Sequence, residues 1–158
     1  MNVEFAQKVL ASGCIVRDHS GRILLVKPTY KPGWEIPGGM VEANESPVQA
    51  CLREAREEIG LEVRVGRLLC IDYVGVEIAP LERLMFVFDA GVISDLEVAR
   101  IVLPPDELSE FRFVTLAESQ ELLPERLALR LHQSVMALEH PPQTVYLENG
   151  RVVSPDPS

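Results

Sequence analysis

Cysteine is scarce in this sequence. The 158-residue chain contains three cysteines, Cys14, Cys51 and Cys70, and none of them forms a C-x-x-C pair. An odd number of widely spaced cysteines argues against a disulfide scaffold and against a zinc site. We expect all three thiols in the core, because each lies in an apolar stripe or a strand-like run.

Long apolar runs and an excess of basic residues are also absent. No apolar run approaches the ~18 residues of a membrane span, and the first residues lack the basic-then-apolar pattern of a signal peptide. The formal net charge is −9 and no basic stripe is visible, which argues against duplex DNA or RNA as a partner. We therefore expect a soluble, cytoplasmic protein that binds neither a membrane nor duplex nucleic acid.

Residues 46–60 carry the start and stop signals of one helix. Ser46 can cap it, Pro47 suits its first position, and Gln49 can complete a capping box. Gly60 suits the left-handed residue that follows a helix. These limits predict a helix of about 13 residues, or roughly 20 Å. Its apolar stripe consists of Val48, Cys51, Leu52, Ala55 and Ile59.

The same helix is predicted to carry a cluster of carboxylates. Glu54, Glu57 and Glu58 have helical spacing and should share a second face beside the apolar stripe. Each like-charged pair costs roughly 0.2–0.5 kcal/mol, and the helix dipole disfavours anions in this half. One interpretation is a solvated acidic face on which Arg53 relieves Glu57. The other is a binding site for Mg²⁺ or Mn²⁺, since hard cations prefer carboxylate oxygens.

A longer sequence pattern favours the second interpretation. Residues 39–61 match the pattern G-x5-E-x7-R-E-U-x-E-E-x-G-U, in which U is apolar, at every fixed position. The fixed positions are Gly39, Glu45, Arg53, Glu54, Glu57, Glu58 and Gly60. The apolar positions hold Ala55, which is small for its place, and Leu61. This pattern is the Nudix box, and the chain resembles the Nudix hydrolases.

The resemblance implies an α/β fold, a Nudix α/β/α sandwich with a mixed β-sheet, in one domain over residues 1–158. It implies Mg²⁺-dependent hydrolysis of a diphosphate linkage in a nucleoside diphosphate joined to another moiety, by water attack on phosphorus. It assigns the metal, Mg²⁺ or alternatively Mn²⁺, to three glutamates, Glu54, Glu57 and Glu58. Arg53 would orient a glutamate, and Gly38 and Gly39 would let the loop bend into the site. Glu45 would lie near the metal.

A general base could lie outside the helix, because metal could occupy all three of its glutamates. In several family members this base is an acid on a loop before a late strand. Glu107 is our first choice for this role, with Glu110 and Asp106 as alternates. The structural alternative is a solvated acidic loop. Glu97 is a weaker candidate.

The remaining sequence predicts strands and two helices around this segment. Strands are expected at residues 12–17, 22–27, 66–76, 83–92 and 110–114, and helices at 116–123 and 125–138. Pro37, Gly38 and Gly39 predict a turn, and Asn149-Gly150 predicts a hairpin that serves as a local cover or an edge element. Residues 155–158 are expected to be frayed.

The substrate is less well defined by the sequence than the reaction. Signatures of the NADH and coenzyme A subfamilies are absent. Trp34, Tyr30 and Phe86 could stack on a base or could be core residues, while Arg83 and Lys31 could contact phosphates or lie on the surface. A Nudix-fold sensor that binds a nucleotide without turnover is the second hypothesis. The leucine stripe of helix 125–138 is core or an interface, and in the latter case it would support a homodimer.

Overall fold

The computed structural model describes residues 4–153 of the chain, so the predicted fraying at residues 155–158 lies outside the described residues. The strands are Val9–Arg17 (β1), Ile23–Pro28 (β2), Gly38–Met40 (β3), Leu68–Val74 (β4), Arg83–Val92 (β5), Leu108–Val114 (β6), Val145–Glu148 (β7) and Arg151–Val152 (β8). The helices are Pro47–Ile59 (α1), Asp95–Val98 (α2), Leu116–Leu122 (α3) and Glu125–Glu139 (α4).

All eight of these strands join one mixed sheet. Its order is β6-β2-β1-β5-β4-β7-β8, and β3 pairs with β1 outside this path. The pairs β1–β5 and β4–β7 are parallel, and the other pairs are antiparallel. The Asn149-Gly150 hairpin is confirmed as an edge element, since it joins β7 to β8 at the end of the sheet.

Both faces of the sheet are covered by helices. Along β1, Cys14 and Val16 pack with Cys51 and Ala55 of α1, whereas Ile15 belongs to a second core with Leu131 of α4. This alternation follows from the two-residue period of a strand, whose successive side chains point to opposite faces. The expected α/β/α sandwich with a mixed sheet is confirmed.

The helix signals were read correctly at both ends of α1. Ser46 accepts a hydrogen bond from the Gln49 backbone N–H, the Gln49 side chain completes the capping box, and Gly60 adopts a left-handed φ of 71°. The apolar stripe differs at one position: Val48, in the first turn, is 40 % exposed, and Ala50 is buried instead. All three cysteines are buried, as predicted.

The turn predicted at residues 37–39 was wrong for the two glycines, although Pro37 lies in a bend. Gly38–Met40 forms β3, which pairs antiparallel with Ala11–Gly13 of β1. The partner lies far away in the sequence, so local glycine and proline signals could not reveal the pairing. On the same side, β1 pairs with β2 at Arg17 and Ile23. Farther from Arg17, residues 35–40 lie between the two strands, since β3 pairs with β1 and Glu35 bridges with Val26 of β2.

The leucine stripe of α4 is part of the core. Leu131 and Val135 are buried, and Leu127 and Leu138 pack against the same cluster. Across residues 4–153, no helix is long and apolar enough to cross a membrane.

Candidate active site

The Arg53 guanidinium donates hydrogen bonds to three glutamate carboxylates next to β3. Its Nη1 donates to Glu54 at 2.7 Å and to Glu57 at 3.1 Å, while Nε and Nη2 donate to the two oxygens of Glu45 at 2.9 and 3.0 Å. Nη2 also donates to the Met40 carbonyl at 2.9 Å. The planar guanidinium thus fixes these side chains relative to one another and to β3.

Glu58 points into the protein rather than along an exposed acidic face. It is 7 % exposed, and its Oε2 accepts the Gly38 backbone N–H at 2.9 Å. Burial raises the pKa of the Glu58 carboxyl to about 8; the Gly38 N–H opposes the shift, and nearby Glu54, Glu35 and Glu107 add to it. The interpretation of these glutamates as a solvated acidic face was therefore wrong for Glu58. Glu58 lies nearly in line with Cys51 on the buried side, since seven residues make almost two full turns.

Gly38 and Gly39 allow β3 to lie directly against its neighbours. A Cβ added at Gly39 would overlap the Glu54 carboxylate, and one added at Gly38 would overlap the Ser12 backbone carbonyl. Burial raises the pKa of the Glu54 carboxyl, while Arg53 opposes this rise. Both glycines are therefore required by close approach, and they lie between the α1 carboxylates and the other face of the sheet.

The loop that carries the candidate bases is attached to the end of β2. The Thr29 backbone N–H donates to the Glu107 carbonyl at 2.8 Å, and Thr29 Oγ1 donates to the Asp106 carbonyl at 2.8 Å. Of the three candidates, Glu107 is the one whose charge acts on Glu58. Glu110 instead lies within β6 and pairs with Arg112 at 2.8 Å.

Glu97 has a structural use away from this site. It caps the short helix α2, where its Oε2 accepts the Ser94 backbone N–H at 2.7 Å.

Glu35 is a residue of the site that the sequence interpretation missed. It lies between β2 and β3 and forms a bridge with Val26 through both backbone groups. Its charge helps to raise the pKa of the Glu58 carboxyl, and its carboxylate pairs with Lys31 at 2.6 Å. The only signal in the sequence was an acidic residue, Glu35, four positions before Gly39. Glu35 belongs to no helical or alternating pattern that would have marked it as a site residue.

The carboxylates of Glu54, Glu57 and Glu58 suit a hard divalent cation, although their oxygens do not converge on one point in this structure. Over residues 4–153, no three Asp, Glu, His or Cys side chains form a ready metal site. Glu54 and Glu57 are instead held by Arg53, and Glu58 is a buried acid whose charged form burial disfavours. A cation would favour that charged form, and all three groups offer the oxygen ligands that Mg²⁺ and Mn²⁺ prefer.

A cavity of about 260 Å³ opens beside Gly38 and Gly39 on the α4 face of the sheet. Ala11 and Met85, which are neighbours across β1 and β5, form part of its floor. Its wall includes apolar side chains of the α3–α4 segment, Leu123, Leu127 and Leu131. The cavity therefore offers apolar contact next to the carboxylates, as a binding site for the organic part of a substrate does.

The aromatic residues considered for base stacking lie in different places. Trp34 is 7 % exposed and packs in the core, with the Arg112 guanidinium 4.9 Å from its ring centre. Phe86 packs against the core on the α1 face. Tyr30 is 71 % exposed and lines the cavity. Tyr30 is thus the one of the three that is available to a ligand in the cavity.

Comparison with known proteins places this geometry in a family. A family model described as NUDIX domain matches residues 7–137. An RNA pyrophosphohydrolase from Halorhodospira halophila is 47 % identical over 49 residues, which are 31 % of this chain and 27 % of the relative. An 8-oxo-dGTP diphosphatase from Proteus vulgaris is 43 % identical over 63 residues, which are 38 % of this chain and 56 % of the relative.

Solved structures agree at the level of the fold. The crystal structure of a MutT protein from Methanosarcina mazei Go1 superposes with a TM-score of 0.69 at 21 % identity. The match covers 88 % of this chain and all of that one. The two sequence relatives match over only 27 % and 56 % of their own lengths, so their similarity is concentrated in part of each protein. Because the family model covers most of the chain and the α1 segment carries every fixed residue of its box, this chain belongs to the Nudix family.

Proposed function

We propose that the protein hydrolyses a diphosphate linkage in a nucleoside diphosphate derivative, with Mg²⁺ as its cofactor. The observation that carries this proposal is the group of α1 carboxylates beside Gly38 and Gly39, which line the cavity: Arg53 holds Glu54 and Glu57, and Glu58 accepts the Gly38 N–H. Two Nudix relatives, named as an RNA pyrophosphohydrolase and an 8-oxo-dGTP diphosphatase, support the reaction class.

Glu54, Glu57 and Glu58 would hold the cation, with Mn²⁺ as an alternative to Mg²⁺. When bound, the ion would neutralise charge on the diphosphate and make water at the site more acidic. Arg53 would position Glu54 and Glu57 rather than touch the reacting atoms, since its guanidinium is occupied by carboxylates. Gly38 and Gly39 would leave room for the diphosphate between α1 and the cavity.

Glu107 is our proposed general base. It accepts no hydrogen bond through its carboxylate from the described residues, and its charge reaches Glu58. Its exposed position, near enough for its charge to act on Glu58, suits the removal of a proton from the attacking water. Glu110 is less suited, because its carboxylate is paired with Arg112.

Substitution of Glu107 tests this assignment. Glu107→Gln should lower kcat by about 100-fold or more, within the range for loss of a general base, with little change in metal affinity. Glu110→Gln is the matched control and should keep a rate near that of the wild type. A Glu107→Gln variant with full activity would remove Glu107 from this role.

The reaction itself is tested with a panel of diphosphates in the presence of Mg²⁺. The panel contains nucleoside triphosphates, ADP-ribose, NADH, dinucleoside polyphosphates and nucleotide sugars. Phosphate release is measured with and without a coupled phosphatase, and EDTA serves as the control. Metal-dependent release from one class would establish the hydrolase, whereas tight nucleotide binding without turnover would support the sensor.

The whole domain is proposed to work on a small nucleotide substrate, in the cytoplasm and without a membrane or duplex nucleic acid as partner. The stripe that suggested a homodimer packs into the core of the protomer. A homodimer therefore stays a prediction, and the mass of the protein in solution tests it.

A further inference from the structure

Three arginines line one end of the cavity. Arg83 is the first residue of β5, and Arg126 and Arg130 lie one turn apart on α4. Arg130 lies over β4, where its Nε donates to Asp72 at 2.7 Å. Met40, Ala11, Met85 and Asp72 are successive partners across the sheet. β3 and β4, the strand over which Arg130 lies, are therefore three strand spacings apart, or roughly 14 Å.

Among the described residues, two of these arginines have no ion-pair partner. Arg130 is paired with the fully buried Asp72, and Lys31 is paired with Glu35. Within residues 4–153, Arg83 and Arg126 form no salt bridge. In the same part of the chain, Nε of Arg83 and Nη1 of Arg126 are buried without a hydrogen-bond partner.

The arginines are close enough to repel one another. Burial lowers the pKa of the Arg126 guanidinium, and the charges of Arg130 and Arg83 lower it further, while the charge of Asp72 opposes the fall. In a protein with a net charge of −9, an arginine such as Arg126 would be expected to pair with an acidic residue or to lie on the surface, where water solvates its guanidinium. Here it lies in a cavity, where an unpaired donor is costly.

A structural role in covering the core does not account for this arrangement. Arginine stems often lie along apolar surface, but their charged ends then remain in water. In Arg83 and Arg126 one guanidinium nitrogen each, Nε and Nη1 respectively, is buried and unpaired. A neutral nucleobase could accept a hydrogen bond but would not balance two positive charges. A dianionic group with several acceptor oxygens satisfies both requirements, because guanidinium groups match phosphate oxygens.

We propose that Arg83, Arg126 and Arg130 bind a phosphate monoester of the substrate, separate from the diphosphate that is cleaved. The inference rests on the proposed function, which places that diphosphate beside Glu54, Glu57 and Glu58. The cavity between the two ends takes the part of the substrate that joins them, against Ile36, Met85 and Leu127. The enzyme thereby selects derivatives that carry an additional phosphate over the same molecules without it.

The test compares matched ligands that differ by one phosphate monoester. Binding of NADPH and NADH, and of coenzyme A and dephospho-coenzyme A, is measured by calorimetry in EDTA, where no turnover occurs. The wild-type protein should bind the phosphorylated member of at least one pair about tenfold more tightly. Arg126→Met and Arg83→Met should each reduce this preference to about twofold or less, and Arg126→Lys should retain part of it.

Arg151→Met is the matched control. Arg151 is an exposed arginine outside the cavity, paired with Glu125 at the start of α4, so its loss should leave the preference unchanged. A melting curve for each variant checks that it folds. Because Arg83 and Arg126 lie on different elements, one variant remains informative if the other does not fold.

The outcomes separate this inference from the hydrolase itself. Equal affinity within both pairs, no binding of either phosphorylated ligand, or a preference that survives both methionine substitutions would overturn the arginine site. Mg²⁺-dependent hydrolysis without a phosphate preference would leave the proposed function standing alone. A phosphate preference in EDTA without turnover by the Mg²⁺-loaded protein would support the arginine site and remove the hydrolase.

Discussion

A buried carboxyl is held in its neutral form unless a positive charge comes near. Glu58 is in this position, because Arg53 contacts Glu45, Glu54 and Glu57 instead. Within residues 4–153, the one hydrogen bond that its carboxylate accepts comes from the Gly38 backbone N–H. The proposed role of Glu58 as a metal ligand gives this side chain the charge that its surroundings lack.

The stability of the metal-free protein should therefore depend on the protonation of Glu58. Its carboxyl has a pKa of about 8 in the folded protein and an ordinary value of 4.5 in the unfolded chain. Its contribution is fully present below about pH 4.5 and is lost as the pH rises through about 8. Between pH 5 and 8.5 in EDTA, the loss should reach on the order of a few kcal/mol.

Urea unfolding of the wild type and of Glu58→Gln measures this contribution. The variant has no proton to lose, so its stability should fall less over the same interval. Added Mg²⁺ should restore wild-type stability most strongly at the higher pH. Parallel pH profiles for the two proteins would show that Glu58 titrates normally.

Residue roles could be predicted from the sequence where they depend on spacing along one helix. They could not be predicted where they depend on which distant segments the sheet brings together. The i,i+4 contact between Arg53 and Glu57 was expected and is present at 3.1 Å. Glu35 and Arg126 were not singled out, because their neighbours come from distant segments. Arg83 was weighed as a phosphate contact or a surface residue, and its place in the cavity favours the first.

At the scale of elements, α1 was predictable because its signals are local. Both ends and the length follow from Ser46, Pro47, Gln49 and Gly60 within a stretch of 15 residues. The strand β3 was not predictable in this way, since its three residues gain strand geometry by pairing with Ala11–Gly13. That pairing places the two glycines between α1 and the cavity, so the missed element is also the one that completes the site.

The caps of α1 and α2 offer a direct comparison. Both helices begin with a serine in a complete capping box, but α1 buries five side chains and the four-residue α2 buries none. Ser46→Ala should lower the free energy of unfolding by about 1 kcal/mol, and Ser94→Ala should lower it less because α2 can fray locally. Urea denaturation measures both, and an equal or larger cost at Ser94 would contradict this account of α1.

At the scale of the whole molecule, Asp72 joins three parts of the fold. It lies on β4 and is fully buried, its Oδ2 accepts Nε of Arg130 on α4 at 2.7 Å, and its Oδ1 accepts the Gly150 N–H at 3.0 Å. These contacts hold the arginine end of the cavity and the C-terminal hairpin against the sheet.

Loss of the Asp72 carboxylate should be costly. Asp72→Ala leaves the Arg130 guanidinium charged, buried and unpaired, and should lower the free energy of unfolding by about 3–5 kcal/mol. Glu62→Ala, which removes the exposed partner of Arg56, is the control and should change stability little. Thermal or urea unfolding gives the comparison, and similar stabilities for the two variants would mean that the buried pair contributes little.

The central claim is that the α1 carboxylates bind a divalent cation used to hydrolyse a diphosphate. The most direct measurement is kcat with Mg²⁺ for Glu57→Gln and Glu58→Gln on the substrate that the panel identifies. Glu62→Gln serves as the control, because Glu62 pairs with Arg56 rather than with Arg53. The proposed site predicts a loss of about 100-fold or more in both site variants, with folding intact and the control unchanged. Wild-type rates in either site variant would contradict it.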